Sequence, residues 1–138
     1  MKREKYYEFV KYLGVGVINT IIGLSAVLIL FNIFNFNYWF ATALGNLIGI
    51  IVSFFLNKRY TFKYNGNSGS SFPKFFLVSL ISYIIAYSLG AFISDYMERM
   101  IDNIVLVNNL IILFSSGLYT ILGFIGHKKI TFKTLEES

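Results

Sequence analysis

The sequence contains no cysteine, which excludes disulfide frameworks, thiolate metal centres and cysteine nucleophiles. Its single histidine, His127, cannot build a histidine-rich metal site, and no metal is expected. Charge is scarce as well: 14% of residues are charged, where a soluble domain carries about 25%. Apolar residues make up 56% of the 138 positions and the mean hydropathy is +0.64. A chain with so few charges cannot cover a water-facing surface, so its outside is expected to face lipid. The aromatic fraction of 19%, mostly Phe and Tyr, suits such a surface with interfacial belts. No phosphate-cradling loop, Ser-His-Asp set or carboxylate pair within a site is visible. The chain is therefore expected not to be an enzyme, to need no cofactor and not to bind nucleic acid.

What is present is four long apolar runs. A helix rises 1.5 Å per residue, so a hydrocarbon core about 30 Å thick takes roughly 20 apolar residues. The runs Val10 to Phe31, Tyr38 to Leu56, Phe75 to Ser94 and Ile104 to Gly126 meet that length. Backbone in lipid must satisfy its own hydrogen bonds, and continuous apolarity at this length selects helices. The expected fold is an all-α membrane protein, one domain over residues 1–138 with four transmembrane helices. The start, Met1 to Glu8, is charged, and no small-residue cleavage site follows, so the first run reads as a retained helix. Between the runs lie an uncharged turn (32–37), a flexible Gly/Ser/Asn loop (64–72) and a polar segment (95–103).

Charge placement predicts orientation. Lys2, Arg3, Lys5 and Lys11 precede or open the first run. Lys58, Arg59, Lys63 and Lys74 lie between the second and third, and Lys128, Lys129 and Lys133 follow the fourth. Arg99 alone is on the other side. By the positive-inside rule both termini are expected to be cytoplasmic.

The two halves repeat. Phe9, Lys11, Gly16, Asn19 and Gly23 match Phe72, Lys74, Ser79, Ser82 and Ala86 at an offset of 63 residues. The run from Asn57 to Lys63 matches that from His127 to Lys133 at an offset of 70. Residues 9–63 and 72–133 are thus expected to form two helical hairpins in one orientation, a parallel repeat about an axis along the membrane normal.

Small residues recur every fourth position: Ala41, Gly45, Gly49, Ser53 and Asn57 in the second run, and Ser82, Ala86, Gly90 and Ser94 in the third. Gly16, Asn19 and Gly23 share a stripe in the first run, and Ser116, Thr120, Gly123 and His127 in the fourth. Such spacing lets helices approach closely, within one bundle or in a homodimer. Asn19 and Asn46 carry amides that lipid cannot satisfy, so both are expected to face protein or a wet cavity, as interhelical contacts or as a polar path. No Asp or Glu falls inside a run, which disfavours a proton-coupled transporter. At the helix ends Lys58 and Arg59 correspond to Lys128 and Lys129, and Lys11 to Lys74. If the bundle closes, these six form a basic ring at head-group level, suited to phosphate or to anionic lipid.

With its length, paired hairpins, Lys11-Tyr12 start leading to Asn19, and Asn57-Lys58-Arg59-Tyr60-Thr61-Phe62 close, the sequence resembles the GtrA-like family over about Phe9 to Lys133. Tyr60 stands where that family commonly has Trp, and His127 replaces the Asn of the first repeat. The resemblance implies a bacterial cytoplasmic-membrane protein of cell-surface polysaccharide synthesis. It would move a polyprenyl-phosphate-linked sugar across the bilayer, for polysaccharide or teichoic acid glycosylation. Lys11, Lys58, Arg59, Lys74, Lys128 and Lys129 would then take the phosphate. Asn19, Asn46, Ser53, Asn57 and His127 would line the sugar's path, with Tyr83, Tyr87 and Tyr119 as further contacts. The alternative expectation is a membrane subunit that docks or stabilises a glycosyltransferase.

Overall fold

The computed structural model describes residues 2–133, and there the chain is helical with no strands. The side chains of Lys2, Arg3 and Lys5, counted above in the basic flank, lie outside the described residues, as does Met1. Helix α1 spans Lys2–Asn32, α2 Tyr38–Leu56, α3 Ser68–Glu98 and α4 Ile104–Gly126. A single π turn continues α2 over Asn57–Thr61 and another continues α4 over His127–Thr131. All four helices are long and apolar enough to cross a membrane. Only 11–22% of their most apolar windows is buried, so most of the apolar surface faces outward, as a lipid solvent requires. This is a multi-pass membrane protein.

Two corrections to the expected boundaries follow. α1 and α3 begin before their apolar runs, and α3 takes up half of the segment expected to be a flexible loop. Pro73, the sixth residue of α3, sits near enough to its start that a single backbone bond is lost there.

The chain divides into two compact units, Met1–Asn67 and Ser68–Ser138. Each is a helical hairpin, with α1 packed on α2 and α3 on α4. The first bend works because Asn35 accepts a left-handed backbone (φ 57°), which Asn tolerates better than most residues. Asn37 then caps α2, its side chain accepting the Phe40 N–H at 2.8 Å. Asn103 caps α4 in the same way, on the Leu106 N–H at 3.1 Å.

Each hairpin closes along one stripe of small residues. Ala41, Gly45, Gly49, Asn57 and Thr61 are buried on α2 and its π turn, as are Val15 and Gly23 on α1, with Gly23 against Gly45 and Gly49. Gly45 receives Val27, and Gly49 receives the Asn19 amide oxygen. In the second hairpin the roles change sides: Gly90 of α3 receives Ser115 of α4. The stripe on α4 runs through Val107, Ser115, Gly123, His127 and Thr131. The expected stripe through Ser116 and Thr120 is therefore one residue off at that end, because 3.6 residues per turn leaves two neighbouring four-residue rows on one face. Gly16, expected on the α1 stripe, is exposed, with nothing within 4 Å of where a Cβ would stand.

Candidate functional site

The apolar helices carry polar side chains at one recurrent place, where α2 and α4 widen into their π turns. There the Phe62 N–H donates to the Asn57 carbonyl at 2.9 Å and the Phe132 N–H to the His127 carbonyl at 2.8 Å. Such five-residue turns are rare and concentrate at functional positions. Each places a side chain and the threonine four residues on side by side, nearly out of reach of solvent: Asn57, Thr61, His127 and Thr131 are each 1% exposed.

In the first hairpin the Thr61 hydroxyl donates to Asn57 Oδ1 at 2.9 Å, and Asn57 Nδ2 donates to Ser53 Oγ at 3.2 Å. The Tyr12 ring of α1 lies 6.3 Å from the Phe62 ring. In the second, His127 Nδ1 is 3.0 Å from Thr131 Oγ1 and Nε2 is 3.3 Å from Ser79 Oγ. The imidazole stacks on Phe75, 4.1 Å between centroids at 13°. Phe75 and Phe132, at the positions of Tyr12 and Phe62, are 6.1 Å apart. The hydroxyl partner has changed helices. Ser53 of α2 serves Asn57, and its counterpart in the second hairpin is Gly123; Ser79 of α3 serves His127, and its counterpart is Gly16.

The second hairpin extends this polarity inward. Tyr87 Oη lies 3.2 Å from Ser116 Oγ. Tyr83 rests on Tyr87 with centroids 4.7 Å apart. The row Thr131–His127–Ser79 joins the second π turn to α3. In the first hairpin the row Thr61–Asn57–Ser53 stays on α2 and its π turn. Asn19 lies beyond it, half-buried, its Oδ1 lacking a hydrogen-bond partner among the described residues. Asn46 does not join: within its own hairpin it is exposed, off the buried stripe.

The expected phosphate ligands occupy the same ends of the hairpins. Lys11 is half-buried, with Nζ 5.3 Å from the centre of the Tyr60 ring. Lys58 and Lys128 are half-buried and Arg59 and Lys129 exposed, matching position for position. Lys128 Nζ lies 5.9 Å from the Phe124 ring centre. Lys74 is exposed, next to buried Phe75 and three residues after buried Ser71. Ammonium groups over aromatic faces are attracted by the ring quadrupole. Among the described residues no group of three or more metal-ligating side chains exists.

Thr61, Thr131, Ser79 and Phe75 were not among the expected site residues. The repeated spacing of Asn57 with Thr61 and His127 with Thr131 marks the threonines in the sequence; nothing local marks Ser79 or Phe75, which come from the other helix. Thr131→Val keeps the shape but removes the hydroxyl beside His127. It is expected to cost about 1 kcal/mol, read as a lower melting temperature in detergent.

Searches of curated proteins and of solved structures give no match. The profile described as the GtrA/DPMS transmembrane domain matches residues 11–132, from Lys11 through the second π turn to Phe132. The chain therefore belongs to the GtrA/DPMS transmembrane-domain family, a family tied to lipid-linked sugars.

Proposed function

We propose that this protein carries the head group of a polyprenyl-phosphate-linked monosaccharide across the bacterial cytoplasmic membrane, without itself catalysing a reaction. The observation that carries the reading is the hydrogen-bonded row from Thr131 through His127 to Ser79. It starts at the basic end of its hairpin and reaches into a span that is otherwise apolar. A polyprenyl tail gains about 0.8 kcal/mol per buried CH₂, so it stays in the bilayer and only phosphate and sugar must cross. Each hairpin offers its basic end to the phosphate: Lys11, Lys58 and Arg59 in the first, Lys74, Lys128 and Lys129 in the second. Arg59 offers the planar fork and the lysines act as point charges. The row of hydroxyl, imidazole and amide groups then replaces water on the sugar. The basic ends face the cytoplasm, where the positive-inside rule puts them. With no carboxylate within the four apolar runs to relay protons, net movement runs downhill, drawn by use of the sugar on the far side.

The test is a flip assay in liposomes holding the purified protein and a labelled polyprenyl-phosphate sugar, with a membrane-impermeant reagent reporting exposure. The protein accelerates exposure, and replacing Lys58 and Arg59 together by alanine abolishes the acceleration while membrane insertion is unchanged. Wild-type rates in that double variant remove the phosphate-capture role. No acceleration with any sugar, from a chain that binds a glycosyltransferase, moves the protein to the docking-subunit class.

A further inference from the structure

The first hairpin has a cleft that the second lacks the chemistry to reproduce. It measures about 350 Å³ and lies between the first turns of α1 and the residues that follow the first π turn. From α1 come Glu4, Tyr7, Glu8 and Lys11, all on one face by their spacing of three and four residues. Opposite stand Thr61, Phe62 and Lys63. Lys63 has a left-handed backbone (φ 47°), uncommon for a residue that is not glycine, and that turn brings the lysine to the cleft wall.

The repeat supplies an internal control. The positions matching Lys11, Thr61, Phe62 and Lys63 are Lys74, Thr131, Phe132 and Lys133, the same residue types throughout. Those matching Glu4, Tyr7 and Glu8 are Asn67, Ser70 and Ser71. The second hairpin forms the same two helices and the same π turn without the carboxylates or the tyrosine. The hairpin architecture therefore does not demand them.

A site for a bare anion would keep the lysines and omit the glutamates, which repel a phosphate. Ionised carboxylates only accept hydrogen bonds, so on this cleft wall Glu4 and Glu8 suit a ligand rich in hydroxyl donors. Lysines on the same walls call for a negative charge on that ligand, and Tyr7 offers a flat apolar face. A sugar joined to a phosphate has all three properties. The volume stands at the low end of the roughly 300–1,000 Å³ of small-molecule sites, which suits one sugar ring with its phosphate and not an oligosaccharide. We infer that this cleft receives the sugar-phosphate head group of the lipid substrate, with Glu4 and Glu8 reading the sugar and Lys11 and Lys63 holding the phosphate. This rests on the lipid-linked-sugar reading above and assigns sugar selection to the first hairpin alone.

Equilibrium binding to the full chain in nanodiscs tests it, with polyprenyl-phosphate glucose, galactose and N-acetylglucosamine as probes against bare polyprenyl phosphate. Wild type is expected to hold at least one of the sugar lipids about tenfold tighter than the bare lipid, the scale for losing a charge-assisted hydrogen bond. Glu4→Gln with Glu8→Gln removes that preference and leaves bare-lipid affinity equal or higher. Glu4→Asn with Glu8→Ser, which installs the second hairpin's residues, does the same in a background that hairpin already tolerates. No preference in wild type, or a preference that survives both double variants, overturns the inference. Flipping is scored separately. A chain that does not flip, yet loses its sugar preference in the variants, sinks the transport reading and leaves the cleft standing. A chain that flips while its variants keep the preference does the reverse.

Discussion

Gly45→Ala is expected to unfold the first hairpin at temperatures where Gly117→Ala is indistinguishable from wild type. A Cβ at position 45 collides with the Val27 side chain and stands 2.9 Å from the Val27 backbone nitrogen and 3.1 Å from its Cα. A side chain can turn away, but here the backbone of α1 must retreat, and the contact along the whole stripe retreats with it. Overpacking of this kind costs about 1–3 kcal/mol. In a membrane it is not offset by any hydrophobic drive between helices, because lipid is as apolar as the partner helix. Gly49→Ala meets the end of a side chain instead, Asn19 Oδ1 at 2.8 Å. That oxygen has no hydrogen bond to lose, so the amide swings aside at lower cost. Gly117 has nothing within 4 Å of its missing Cβ. Melting in detergent, followed by gel filtration, should rank the variants in that order. Equal melting of Gly45→Ala and Gly117→Ala would mean that α1 and α2 do not cross this tightly.

His127→Phe is expected to fold and to transport at least about tenfold more slowly. Phenylalanine keeps a ring on Phe75 and fills the same buried place, so packing is largely retained. It removes both ring nitrogens, and with them the links to Thr131 and Ser79. The two hydroxyls can turn to carbonyls of their own helices, which limits the loss of stability. What is lost is the polar bridge between the basic end of the hairpin and Ser79 of α3. A sugar passing that point would have to leave its hydrogen bonds unmade, at about 1–3 kcal/mol for each group, which sets the scale of the slowing. His127→Asn, the residue of the first hairpin, should fall between the two because its amide reaches Thr131 but not Ser79. Wild-type flipping by His127→Phe would place the path of the head group elsewhere.

The four helices were legible because hydropathy and length leave few other solutions for runs such as Ile104 to Gly126. The π turns were not. Hydropathy stops at Leu56 and Gly126, and the extra turn shows only as the repeated distance from Asn57 to Thr61 and from His127 to Thr131. Stripes of small residues were found where glycine dominates, on α2, and displaced by one residue on α4, where Ser115 and Ser116 are equally eligible by composition and only packing against Gly90 chooses. Asn46 shows the limit of an argument from residue type: an amide in an apolar run needs a partner, but the sequence does not say which way it faces. Partners from a second helix, such as Ser79 for His127, are set by helix rotation, a property that no local pattern encodes.

The exchange of serine and glycine between the two hairpins bears on how the protein is made. Asn57 is satisfied by Ser53 and Thr61, and His127 by Ser79 and Thr131, all within its own pair of helices. A ribosome releases the first pair before the second exists. Because these buried amide and imidazole groups find their partners inside the pair just released, each pair can leave the translocation machinery as a neutralised unit. Its polar end groups need not wait in lipid for helices still to be synthesised.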